Sequence, residues 1–138
     1  MPDFVETVSH TTGMGIYSNG GSTKITNCNA STNKGDGIYV VDASLVRDNV
    51  ATYNNTGVHA TGTNDRIESN LVSDNGTGIL VDTTVNLVIR NTARDNTSNY
   101  NIPAGNRIGT IVTPATSSAS GSTGGAAVST DAWVNIAY

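Results

Sequence analysis

Four short segments carry the side chains best suited to holding a ligand. Gly15-Ile16-Tyr17, Gly37-Ile38-Tyr39, Gly57-Val58-His59 and Gly78-Ile79-Leu80 recur at intervals of 22, 20 and 21 residues. In one common register, Tyr17, Tyr39, His59 and Leu80 form a single outward file. Aromatic faces in file stack on sugar rings, while flanking Asn and Asp side chains bond the hydroxyls. The plainer reading is that such rings shield neighbouring strands, as cross-strand pairs commonly do. Carboxylates offer a second chemistry. Asp74 and Asp95 follow Asn70 and Asn91 by four residues each and so fall at equivalent places. Carboxyl groups ~5 Å apart suit a retaining glycosidase, and added carbonyl oxygens would suit calcium. Both stand in an Asp-Asn pair, however, where Asp more simply caps its own backbone. They are weak catalytic candidates, as is His59, which like His10 has no acid partner evident in the chain order. Asp42 and Asp82 make a poorer pair, two repeats and roughly 10 Å apart. A lone cysteine, Cys28, excludes an internal disulfide and a multi-cysteine metal site. Neither a metal nor a cofactor is expected.

A period of about 21 residues must align these groups. Asn27, Asn49, Asn70 and Asn91 keep the same beat, at intervals of 22, 21 and 21. Asn54, Asn75 and Asn96 stand five residues beyond the last three, and Asn33 stands six beyond Asn27. Each Gly-Ile/Val segment alternates like a short strand. Ile16, Ile38, Val58 and Ile79 then share one face with Ser18, Val40, Ala60 and Val81. Asn-Gly, Asp-Asn and Gly-Gly pairs between them favour turns with positive φ. Helical periodicity is absent. The reading is an all-β, single-stranded parallel β-helix of about four to five coils, its rungs ~4.8 Å apart. Equivalent residues stack, so Asn27, Asn49, Asn70 and Asn91 form a structural ladder, each amide donating to one neighbour and accepting from the other. Cys28, placed with Val50 and Leu71 beside that ladder, reads as a packed thiol.

Composition agrees with a thin core. Thr, Asn, Gly and Ser supply 65 of 138 residues, and hydrophobic residues only 36%, well under the ~45–50% of layered domains. A formal charge of −4 with two lysines argues against nucleic acid and anionic membranes. No apolar run approaches the ~20 residues of a membrane span, and Met1-Pro2-Asp3-Phe4 opens no signal peptide. No serine sits in a Gly-x-Ser-x-Gly elbow, and Gly121-Ser122-Thr123-Gly124-Gly125 lacks the lysine of a phosphate loop.

Ile25-Thr26-Asn27-Cys28, Gly37-Ile38-Tyr39-Val40, the run from Asn70 to Val81 and Val88-Ile89-Arg90-Asn91 resemble bacterial right-handed parallel β-helix repeat proteins, the pectate-lyase-like superfold. The resemblance covers roughly residues 5–96 and implies the right-handed winding, in line with parallel crossovers generally. Residues 97–138 leave the beat and read as an irregular C-terminal cap after coils over 1–96. There Ile102-Pro103-Ala104-Gly105-Asn106-Arg107-Ile108-Gly109 and Trp133-Val134-Asn135 look like the closing segment of secreted relatives. Trp133 reads most simply as a lid on the core, with sugar stacking as the second role. The catalytic patterns of the superfold are missing: Asn91-Thr92 is followed by Ala93 where polygalacturonases carry Asp, and the acidic and Trp-Ile-Asp-His stretches of pectate lyases are absent.

The expectation is therefore a non-catalytic extracellular or cell-surface module, structural or contacting a polysaccharide or glycan through Tyr17, Tyr39, His59 and Trp133. Self-association through an uncovered N-terminal rung is also expected, since exposed strand edges invite pairing. A polysaccharide lyase or glycoside hydrolase, whole or a fragment, is the alternative.

Overall fold

The computed structural model describes residues 7–113 and 132–138; Met1-Pro2-Asp3-Phe4 and Gly121-Ser122-Thr123-Gly124-Gly125 lie outside these. The chain winds as a parallel β-solenoid of about five turns. It starts with β1 (Thr7–Ser9) and continues through β2 (Ile16–Tyr17), β3 (Lys24–Thr26) and β4 (Asn29–Ser31). The next rung holds β5 (Asp36–Val40), β6 (Leu45–Arg47) and β7 (Val50–Thr52). Two more follow, with β8 (Thr56–Ala60), β9 (Arg66–Glu68) and β10 (Leu71–Ser73), then β11 (Thr77–Val81), β12 (Leu87–Ile89) and β13 (Thr92–Arg94). Beyond residue 96 come β14 (Ser98–Asn101), β15 (Arg107–Ile108), β16 (Ile111–Val112) and β17 (Asn135–Ala137).

Three parallel sheets form the walls. Sheet A runs β1-β4-β7-β10-β13-β17-β16, sheet B β2-β5-β8-β11-β14 and sheet C β3-β6-β9-β12-β15. Inward columns fill the space between them. Ile38, Val58 and Ile79 come from sheet B, Val46, Ile67 and Val88 from sheet C, and Ala30, Ala51, Val72 and Ala93 from sheet A, all fully buried. Alanine on sheet A lets that wall lie close to the branched side chains of the other two, so little apolar mass closes the interior. The inward file of sheet B ends on Tyr100, paired with Ile79. Its hydroxyl lies 3.0 Å from the carbonyls of both Asn91 and Ile136, and burial pushes the phenol pKa up. Tyr100 and Ile102, not Trp133, pack against the C-terminal end of the core. Trp133 is 47% exposed on the outside, so the lid reading of that residue is corrected.

Each corner is turned by a left-handed residue followed by a ladder residue. At the first corner the left-handed file is Asn27, Asp48, Ser69 and Arg90, with φ of 56–59°. The ladder beside it is Asn49, Asn70, Asn91 and Asn135, with Cys28 below. Oδ1 of Asn70 accepts both the backbone N–H and the side-chain Nδ2 of Asn49 at 3.0 Å, while Nδ2 of Asn70 donates to Val46 O and to Asn91 Oδ1. Asn27 therefore does not belong to the ladder. It is exposed and left-handed, and it is the Cys28 amide that donates to Asn49 Oδ1, at 2.9 Å. Cys28 consequently stacks with Asn49 and not with Val50, which pairs with Asn29. The six-residue gap from Asn27 to Asn33, against five elsewhere, marks the same slip.

A second ladder, Asn33, Asn54, Asn75 and Asn96, closes on Asn99 with side-chain bonds of 2.9–3.2 Å. It explains the glycine file. A Cβ on Gly37 would lie 2.6 Å from Asn54 Nδ2 and 2.9 Å from Gly57 O, and Gly15, Gly57 and Gly78 are crowded alike. At the third corner Ser44, Asp65, Asn86 and Asn106 each accept the backbone N–H from the rung before, at 2.8–3.3 Å.

Candidate functional site

Sheet B carries the site on its outer face. Pairing of Tyr17 with Tyr39, Tyr39 with His59 and His59 with Leu80 stacks the expected file rung on rung. The alternation that buries Ile38 and Val40 forces Tyr39 outward, and the same holds for His59 between Val58 and Ala60. The Tyr17 and Tyr39 rings lie 5.1 Å apart at 34°, and the Tyr39 and His59 rings 5.3 Å apart, edge to face at 84°. Tyr17 is 57% exposed; Tyr39 and His59 are half-buried. Thr61 Oγ1 donates to the Tyr39 hydroxyl at 3.1 Å. The result is a ridge of rings flanked by hydroxyls and carboxylates.

His59 has acid partners that the chain order hid. Its Nδ1 lies 2.7 Å from Asp36 Oδ2 on the rung before, and its Nε2 lies 3.0 Å from Asp82 Oδ2 on the rung after. Asp36 is buried and Asp82 exposed. Burial of the imidazole disfavours its charge, but hydrogen bonds and attraction from Asp36 and then Asp82 outweigh that and raise its pKa above the ordinary histidine value. The bridge holds the ring upright in its file and favours the imidazolium, a donor at both nitrogens. Register alone would have located both acids: Asp36 stands three residues before Tyr39, and Asp82 two after Leu80.

The other candidates lie elsewhere. Asp74 and Asp95 occupy the left-handed column of the second corner, one rung apart, with φ of 57° and 54°. Asp95 is exposed beside Arg94, 3.3 Å away. Asp42 Oδ1 accepts the Thr63 backbone N–H at 2.8 Å and so ties its turn to the one on the next rung, while Asp82 bonds His59. His10 is an exposed left-handed residue. Trp133 stands off the ridge, its ring 4.7 Å from the Arg90 guanidinium carbon. Among the described residues no three His, Cys, Asp or Glu side chains are grouped to hold a metal ion.

Stacked three-sheet rungs with polar corner ladders define a parallel β-solenoid. A family model described as a right handed beta helix region matches residues 6–130, and the chain belongs to that family. Its fold is the kind shared with pectate lyases and glycoside-hydrolase-like β-helices. No curated protein and no solved structure gives a match.

Proposed function

We propose that the chain is a non-catalytic extracellular module whose sheet B ridge contacts carbohydrate. The observation that carries this reading is the continuous file Tyr17–Tyr39–His59, whose rings lie 5.1 and 5.3 Å apart. That spacing lets the two tyrosine rings and the imidazole follow an extended saccharide, while the exposed Asp82 and the Thr61 hydroxyl flank them. Polysaccharide or a cell-surface glycan is the partner class. Self-association through the N-terminal rung is a compatible second property, visible as mass growth with concentration in sedimentation.

A lyase or hydrolase acting on the same face is the second reading. What favours it is His59, which the paired carboxylates equip to carry a proton. One experiment separates the two. A polysaccharide panel is incubated with the intact chain while retention and product are followed together. Retention without new reducing ends or unsaturated products, lost in Tyr17→Ala and Tyr39→Ala, supports the binding module. Turnover abolished by His59→Ala supports the enzyme, and neither retention nor turnover overturns both.

A further inference from the structure

On sheet C, the face that plays no part in the reading above, the outer file of β9, β12 and β15 runs Arg66–Leu87–Arg107. The two guanidinium-bearing residues thus flank Leu87 by one rung each, two rungs or roughly 10 Å apart. The neighbouring file places Glu68 beside Ile89. Ile89 faces outward yet is only 2% exposed, and the backbone N–H of the next residue, Arg90, donates to Trp133 O in the turn at Ala132-Trp133. Gly109 makes that approach feasible: any Cβ there would run into the Trp133 backbone. Arg90 secures the turn, its Nε donating to Ala132 O at 3.0 Å and its guanidinium stacking on the indole.

A cleft of about 320 Å³ remains between this turn and the sheet, lined by Arg66, Leu87, Ile89, Arg107, Ile108 and Trp133. Its floor is aliphatic, one wall is an indole and its rim is cationic. Three of the seven Lys and Arg residues of a chain with net charge −4 gather here. Arg66 is partly neutralised by Glu68, 2.7 Å from its Nε. Arg107 is exposed, and among the described residues its guanidinium makes no hydrogen bond. A guanidinium with free donors beside an apolar slot suits a flat ligand bearing a carboxylate, which it can bind bidentately.

We propose that this cleft binds a ring carboxylate, the ring against Trp133 and Leu87 and the carboxylate on Arg107. Ring carboxylates come as planar aryl acids or as sugar acids, whose puckered ring offers a C–H face, and both pair an apolar face with an anion. Trp133 is the only tryptophan, so its emission reports the cleft directly.

The test titrates the intact protein with benzoate and with glucuronate, and with benzyl alcohol and glucose as their neutral counterparts. A saturable change in emission with an acid and not with its neutral counterpart is expected; the acid that responds identifies the source. Arg107→Ala should weaken the apparent Kd at least about tenfold, and Arg107→Lys should restore part of it. Arg94→Ala, on sheet A, should bind like the parent. The proposal is overturned if neither acid gives saturation, if the neutral ligands respond equally, or if Arg107→Ala binds as tightly as the parent.

Discussion

Asp36 and His59 come from adjacent rungs, 23 residues apart, and meet at 2.7 Å between Oδ2 and Nδ1. Sheet B pairs His59 with Tyr39, so Asp36 reaches it diagonally, from three residues earlier on the same strand as Tyr39. Such a contact couples the ridge to the stack below and fixes the imidazole on one side, while Asp82 fixes it on the other.

Asp36→Asn should lower the His59 pKa and Asp82→Asn should lower it less, since Asp82 is the more exposed partner. Because the folded pKa is raised, the bridge contributes stability that is complete below the ordinary imidazole range and fades as pH rises through the folded value. Histidine ring resonances followed by NMR across pH check both statements. An unchanged His59 titration in Asp36→Asn would show that the contact carries no electrostatic weight.

Asn70→Ala should be among the most damaging single changes. It takes the acceptor from the Asn49 backbone and side-chain amides and the Nδ2 donor from the Val46 carbonyl and Asn91 Oδ1 inside the first corner, at a cost of about 3–5 kcal/mol. Asn27→Ala, off the ladder, should cost only about 1 kcal/mol, the penalty of a left-handed residue with a Cβ. Urea unfolding of the two variants separates them; equal losses would return Asn27 to the ladder.

Asp65 holds a ladder position with the wrong charge. Oδ1 accepts the Ser44 amide, but Oδ2 is buried without a hydrogen-bond partner. Burial pushes the carboxyl pKa up to about 6, the Ser44 amide pulls it down, and the charge of Asp42 raises it again. The fold therefore favours the protonated acid, and stability declines as pH rises from the ordinary carboxylate range through about 6. Asn at this position would supply the donor that Asn86 uses toward Gly62 O, at 3.1 Å. Asp65→Asn should stabilise the chain at neutral pH by about 1–3 kcal/mol and flatten its melting temperature between pH 4 and pH 6. A variant melting below the parent at pH 7 would contradict this.

Val85 is β-branched, 58% exposed and left-handed at φ 69°. Its column holds Ser22, Ala43 and Asn64 on earlier rungs. Val85→Asn should raise stability by about 0.5–1 kcal/mol, since Asn tolerates this conformation far better. Calorimetry on the pair suffices as a test.

The glycine and asparagine beats revealed the coil because both types answer a steric or bonding demand that nothing else meets. The glycine file is forced by the amides of Asn33, Asn54, Asn75 and Asn96, so its period survives one-residue shifts in spacing. Asn27 misled because asparagine also suits the left-handed residue next to a ladder position. The third ladder was invisible to residue counting: Ser44, Asp65 and Asn86 differ in type, yet each oxygen accepts the same backbone N–H. Past residue 96 the register persists while the residue types change, with Tyr100 standing in the file of Ile79. The partners of His59 escaped because they lie off its own file, Asp36 three residues before Tyr39 and Asp82 two after Leu80, and become visible only once the rungs are laid in register.

Direction matters in the corner ladders. In all three, the earlier rung gives the N–H and the later rung supplies the oxygen. The side-chain oxygens of the two asparagine columns thus all face the first coil, while each Nδ2 gives one N–H to the next rung and the other to a carbonyl of the rung before. Carbonyls aligned in file polarise one another, so each asparagine column has its acceptor end at the first coil and its donor end toward the rung where the Trp133 turn stands.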